Sequence, residues 1–229
     1  MKRIIALILV ALLSLSFLVS CGTSVQNIDA VLECYSRSYP HKITIESSQQ
    51  FGSQTLLNTT VYIRGAVGSD FAAKKIVSGE AMRSIEDGSG KKVYGPIEEF
   101  DEELWYRNSK GLSDNKGKSW DENGTNFFPT QGSFALNLEP ALLSSSAYTG
   151  DSANGKLTFV VRSANTERFF GEGGHVDTDV SVSITTAGGM VSEVVISWVI
   201  PANLVTGVDT LTVNIKSVYE YDQQRISFD

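Results

Sequence analysis

At 229 residues, with 19 Lys and Arg against 26 Asp and Glu, the chain carries a formal charge of −7. Such a balance disfavours nucleic acid and anionic lipid head groups as partners of the surface as a whole. Two cysteines and two histidines leave little material for a disulfide framework or a zinc centre. The length suits one substantial core, and a single domain is expected.

The chain opens with Lys2-Arg3 and an apolar run of 16 residues from Ile4 to Val19. As a helix this run reaches about 24 Å, short of the roughly 30 Å hydrocarbon core of a bilayer, and Ser14 and Ser16 weaken it as a span. A charged n-region, a short apolar h-region and small residues before a cut are the parts of a secretory signal peptide. Leu18-Val19-Ser20-Cys21 then resembles the cleavage and lipidation box of bacterial lipoproteins. That resemblance implies a signal peptide over residues 1–20, a diacylglyceryl group on the thiol of Cys21, a lipid-anchored tether over residues 21–24 and a folded body over 25–229. Two or three acyl chains hold a protein far more firmly than one. The expected address is the extracytoplasmic face of the bacterial cell membrane, and the expected partner is that membrane, through the N-terminal acyl chains. Loss of Lys2 and Arg3 takes the charge from −7 to −9. With Cys21 consumed by lipid, Cys34 has no disulfide partner and reads as a small core residue on a helix.

Val25, Ile28, Leu32, Tyr35 and Tyr39 recur three and four apart, the stripe of an amphipathic helix, and Pro40 stops it. From His41 the period becomes two: Ile43 and Ile45 alternate with Lys42, Thr44 and Glu46, and Val61 and Ile63 with Tyr62 and Arg64. Residues 74–78, 81–85 and 104–107 are less regular. Gly88-Ser89-Gly90 and Ser113 to Gly117 read as turns. The run Glu98 to Glu103 lacks the alternate ligands and bend glycine of a calcium loop, so a solvated acidic loop is expected. Pro140 suits a first helical position, which predicts a short helix within Asn137 to Tyr148. Lys156 to Arg162 alternates as a strand. Asn165 to Asp177, with Gly171, Gly173 and Gly174 near Phe169-Phe170, reads as a loop and lacks the context of a phosphate cradle.

The last third is the most regular. Val180, Val182 and Ile184 alternate with polar residues, Gly188-Gly189 offers a tight turn, and Val191 to Ile200 runs back. Leu211, Val213 and Ile215 continue into Tyr219 and Tyr221. Residues 179–185, 191–200 and 211–221 are thus predicted to be successive antiparallel strands. A strand as long as 191–200 bends or closes round something.

Catalytic signals are weak. His41 and His175 lack metal-ligand spacing to other ligands, and neither a G-x-S-x-G elbow nor an S-x-x-K nucleophile occurs. The expectation is no enzyme, no cofactor and no metal site.

The order of elements carries a broader likeness. A lipobox is followed by a helix ending near Tyr35 to Pro40, a strand meander, aromatic strands with Trp105-Tyr106 and Trp120, and a helix entry over Phe134 to Leu143. A late meander closes on Val218-Tyr219-Glu220-Tyr221-Asp222. This order resembles the LolA/LolB-like superfamily, especially its LppX/LprG-type lipoproteins, over nearly all of the mature chain. The resemblance implies an α+β fold: one strongly curved antiparallel sheet, an incomplete barrel, with helices covering its concave face and enclosing a hydrophobic pocket for acyl chains. Members of the superfamily ferry or hold lipids and lipoproteins in the cell envelope.

Two fillings of such a core stay open. One is the protein's own side chains, with Trp105, Trp120, Trp198, Phe159, Phe169 and Phe170 as candidates; the other is a lipid ligand. For the second, the most apolar alternating set forms the expected walls: Val194, Ile196, Trp198 and Ile200, with Leu211, Val213 and Ile215 beside it. Glu193, Val195, Ser197 and Val199 suit the opposite face. The resemblance tips the balance toward the lipid filling, so the expected function is a lipid or hydrophobic-ligand carrier, with a non-enzymatic envelope scaffold or interaction module with a filled core as the alternative.

Overall fold

A computed structural model describes residues 25–51, 54–86, 88, 92–129, 138–151, 153–201, 210–222 and 226. The signal segment, the tether and the expected lipidation site Cys21 lie outside the described residues. Helix α1 (Val25–Arg37) leads into strands β1 (Lys42–Phe51), β2 (Gln54–Val67), β3 (Asp70–Glu86), β4 (Lys92–Arg107) and β5 (Gly111–Ser113). A 3₁₀ turn (Pro140–Leu142) precedes β6 (Ser144–Gly150) and β7 (Gly155–Val161). A second 3₁₀ turn (Ser163–Asn165), helix α2 (Thr166–Phe170), β8 (Val180–Ala187), β9 (Met190–Pro201) and β10 (Thr210–Glu220) complete the order.

The ten strands of the described residues form one antiparallel sheet in the order β5-β4-β3-β2-β1-β10-β9-β8-β7-β6, open at β5 and β6. Two meanders, β1 to β5 and β6 to β10, are therefore joined where the first strand pairs with the last, from Lys42 opposite Glu220 to Phe51 opposite Leu211. A Lys42–Glu220 ion pair at 2.7 Å closes one end of that seam.

The three predicted C-terminal strands are β8, β9 and β10, paired antiparallel in sequence order. Gly188 and Gly189 have φ of 58° and 74°, the double left-handed requirement of the hairpin turn that matches strand twist. A Cβ at Gly188 would meet nothing within 4 Å, so Gly188→Val is penalised by backbone strain alone. A loss of about 1–2 kcal/mol is expected, read from the urea midpoint; an unchanged midpoint would remove the strain account.

Register assigns the faces. Ile43 lies opposite Tyr219, Ile215 opposite Ile196, Ile196 opposite Val182, and Val182 opposite Phe159. These side chains share one face and form the core with Val31, Phe169 and Leu142. Helix α1 packs on this region against β7, β8 and β9. Among its described side chains Val31 and the expected core residue Cys34 are buried, each 1 % exposed. Of the predicted stripe, Tyr35 packs against the core, Leu32 is half-buried and Tyr39 is exposed beyond the helix, while the side chains of Val25 and Ile28 lie outside the described residues. The helix ends at Arg37, before Pro40, because Ser38 takes over its last turn. The Ser38 hydroxyl donates to the Cys34 carbonyl at 2.6 Å and accepts the Val191 N–H at 2.9 Å. Ser38→Ala leaves that buried N–H without a partner. A loss of about 1–3 kcal/mol is expected, measured by denaturant unfolding, and a neutral result would show that another group satisfies Val191.

The less regular segments at 74–78, 81–85 and 104–107 belong to two strands of 17 and 16 residues. Three expectations are corrected. The acidic run Glu98 to Glu103 lies inside β4 rather than in a loop. Its carboxylates obscure a period of two in which Phe100, Leu104 and Tyr106 oppose Gly79, Lys75 and Ala73. Of the short helix expected within Asn137 to Tyr148, the described residues keep a 3₁₀ turn starting at Pro140 (Pro140–Leu142), after which Ser144–Gly150 is strand β6 rather than helix. Ser, Thr and Tyr are middling helix formers, and Tyr148 finds a cross-strand partner in Leu157. Finally, the glycine-rich segment is entered by a helical turn: Phe169 of α2 is fully buried, its ring 6.1 Å from Phe159 and 4.9 Å from Phe170.

Candidate functional site

The seven residues expected to wall a pocket lie on one face of β9 and β10, since Leu211 pairs with Ile200, Val213 with Trp198 and Ile215 with Ile196. That face belongs to the core. Val194, Ile196, Leu211 and Val213 are buried, while Trp198, Ile200 and Ile215 are half-buried. Some of them meet the protein's own rings and branched side chains: Trp198 lies 6.0 Å from Phe170, and Ile196 and Val194 cluster with Val182, Ile184 and Phe159, whereas Ile200, Leu211 and Val213 lie outside that cluster.

Two grooves open on the opposite face. One, of about 410 Å³, runs over β9, β10, β1 and β2 and is lined by Val195, Asn214, Lys216, Glu46, Ser48 and Thr59 among others. The other, of about 260 Å³, crosses β7, β8 and β9 along Thr158, Val160, Ser181, Ser183, Val195 and Ser197. Val195 is common to both. Successive strands point alternate side chains to one face, and here that face carries small hydroxyl, amide and valine side chains. Their short reach leaves a trough between taller neighbours. Lys216 at its margin is held by Glu193 at 3.1 Å, and Leu57 and Val199 are exposed apolar residues on the same face. Ser183 contributes a buried hydroxyl oxygen with no hydrogen-bond partner. Chemically this is a shallow surface on which hydroxyl, amide and apolar side chains alternate.

The histidines stand apart. His175 is exposed with its Nε2 3.0 Å from Asp177, and His41 is half-buried where the chain enters β1. Among the described residues no group of three or more His, Cys, Asp or Glu side chains is placed to hold a metal ion. Asp179 is a structural tie. Its carboxyl accepts the Ser163 N–H at 3.0 Å and pairs with Arg162 at 2.6 Å, contacts that hold it below the usual carboxylate range. On the core face, burial pushes the Tyr219 phenol well above its ordinary value, with Tyr35 and Tyr221 adding to the shift.

Sequence reading missed the trough. Its signal was the run of Ser and Thr at the outward positions of neighbouring strands, which by composition is indistinguishable from a solvated face. Among the described residues no helix is long and apolar enough to cross a membrane. No protein-family model matches the sequence, and no curated protein matches it.

Proposed function

We propose that this chain is a lipid-anchored protein of the bacterial cell envelope, without catalytic activity, whose folded body acts as an interaction module with a filled core. One observation carries the reading. Of the set expected to wall an acyl pocket, Val194, Ile196, Trp198 and Ile215 pack in or against a cluster of the protein's own side chains, while two grooves on the other face share Val195. In this reading Cys21 supplies the anchor, and the short tether holds the sheet close to the bilayer. The open antiparallel strand order is compatible with a curved LolA/LolB-like sheet whose concave face is covered by α1 and α2. Clustering of Phe159, Phe169 and Ile196 in the core supports a filled interior.

The rival reading, carriage of a lipid or other hydrophobic ligand, is separated by Ile196→Phe. In a filled core the extra ring costs about 1–3 kcal/mol, measurable by urea unfolding of the detergent-solubilised protein. Unchanged stability, together with an acyl ligand beyond the anchor in native mass spectra after organic extraction, would return the chain to the carrier class. A photo-crosslinking side chain at Val195 is expected to give discrete adducts in cells, and one at Val194 none. Equal yields at both positions would remove the trough from the proposal.

A further inference from the structure

Arg64 breaks the pattern of the core. It lies on the core-facing side of β2, because Tyr62 pairs with the buried Ile43 and Arg64 follows two residues later. It is 6 % exposed, yet no carboxylate pairs with it among the described residues. Its guanidinium lies 3.0 Å from the centroid of the Tyr39 ring and 5.5 Å from that of Phe128. One Nη2–H is used on the Tyr39 carbonyl at 2.5 Å, and Nε has no partner. Beside it His41, whose carbonyl accepts the Arg64 N–H at 2.9 Å, holds a buried Nδ1 that also lacks a partner. Lys75 pairs with Tyr62, and Ala73 with Arg64, so Lys75 is the diagonal neighbour of Arg64 on the same face, about 7–8 Å away. Its Nζ lies 5.7 Å from the Tyr62 ring, and it too has no carboxylate partner among the described residues.

A buried charge without a counter-ion is costly, and a buried polar atom without a partner calls for an occupant. Two cations and two orphaned nitrogens belong to neighbouring positions on one face of the sheet, in a chain of net negative charge. We infer that Arg64, Lys75 and His41 form a phosphate-binding site between the exit of α1 and the core-facing side of β2 and β3. The planar guanidinium edge grips two oxygens, and the lysine supplies a point charge to a third, a match to phosphate that a single carboxylate would not use in full. Tyr39, 47 % exposed, covers the guanidinium from the solvent side and is the element that must yield to admit the group. Desolvation already weakens the hold of Arg64 on its proton, against a smaller opposing effect of Tyr39, and a bound anion would reverse that tendency.

The test follows the Nε–H resonance of Arg64 in the full-length protein in detergent, identified by its absence from Arg64→Lys. Inorganic phosphate is titrated at constant ionic strength, and in a parallel arm bicelles containing phosphatidylglycerol are compared with bicelles of phosphatidylcholine alone. A saturable displacement by free phosphate, or by the phosphatidylglycerol bicelles alone, supports the site and distinguishes a soluble phosphate from a lipid head group. Lys75→Gln, which leaves Arg64 in place, is expected to weaken the saturable effect about tenfold. Absence of a saturable displacement in both arms, or full retention of affinity in Lys75→Gln, would overturn it and leave Arg64 as a tie between the helix exit and β2.

Discussion

Phe169→Ala is expected to lower the stability of the folded body by about 3–5 kcal/mol, the range for removing a buried ring. The size follows from position. Phe169 is fully buried on a helix of only five residues, so α2 has little hydrogen bonding of its own and is held by what its side chains reach. The ring meets Phe159 of β7 edge-on at 80° and Phe170 at 70°, and Phe170 passes the contact to Trp198 of β9. Deleting the ring opens a cavity and loosens the 163–178 connection, which Thr166 also helps to hold: its hydroxyl accepts the Val176 N–H at 2.9 Å. Urea unfolding followed by Trp fluorescence measures the loss. A change below about 1 kcal/mol would mean that the site collapses freely and that the core is looser than its burial indicates.

Cys21→Ser is expected to abolish labelling by a fatty-acid analogue. It should also move the protein from the membrane fraction either to an unprocessed precursor or to a soluble form. Each buried methylene contributes about 0.8 kcal/mol to anchoring, so removing two or three chains removes nearly all membrane affinity. Among the described residues no helix is long and apolar enough to span a membrane. Retained labelling together with normal membrane fractionation would refute the lipoprotein assignment without touching the fold.

The sequence made the late hairpins readable because alternation and turn chemistry agreed: Val180 to Ile184, a glycine pair and a long apolar return leave one consistent register. Cys34 was readable for a similar reason, as a small apolar residue in a helical context. Faces were harder. Val61 and Ile63 outrank Tyr62 and Arg64 in hydrophobicity, yet pairing with β1 turns Tyr62 and Arg64 toward the core. Trp105 was a candidate for the main core and is indeed buried, but on the other face: its neighbour Tyr106 opposes Ala73, while Trp105 is roofed by Gly117 and flanked by Lys74 at 4.3 Å. Tertiary pairing decided these cases, and no local window contains it. The trough and the Arg64 cluster were illegible for the same reason, being assembled from strands far apart in the chain.

The seam between β1 and β10 has a kinetic consequence. Lys42 and Glu220 are separated by 178 positions, and this pairing lies at the middle of the sheet rather than at its margin. Each meander can zip locally, but joining them requires closing a loop of nearly the whole body, an entropic cost met before the contacts that offset it. A chain emerging N-terminus first therefore holds β1 with one edge unpaired until its last strand arrives. During that interval an exposed strand edge invites pairing with other chains, so the yield of correctly folded protein should depend on concentration during refolding more steeply than its final stability does.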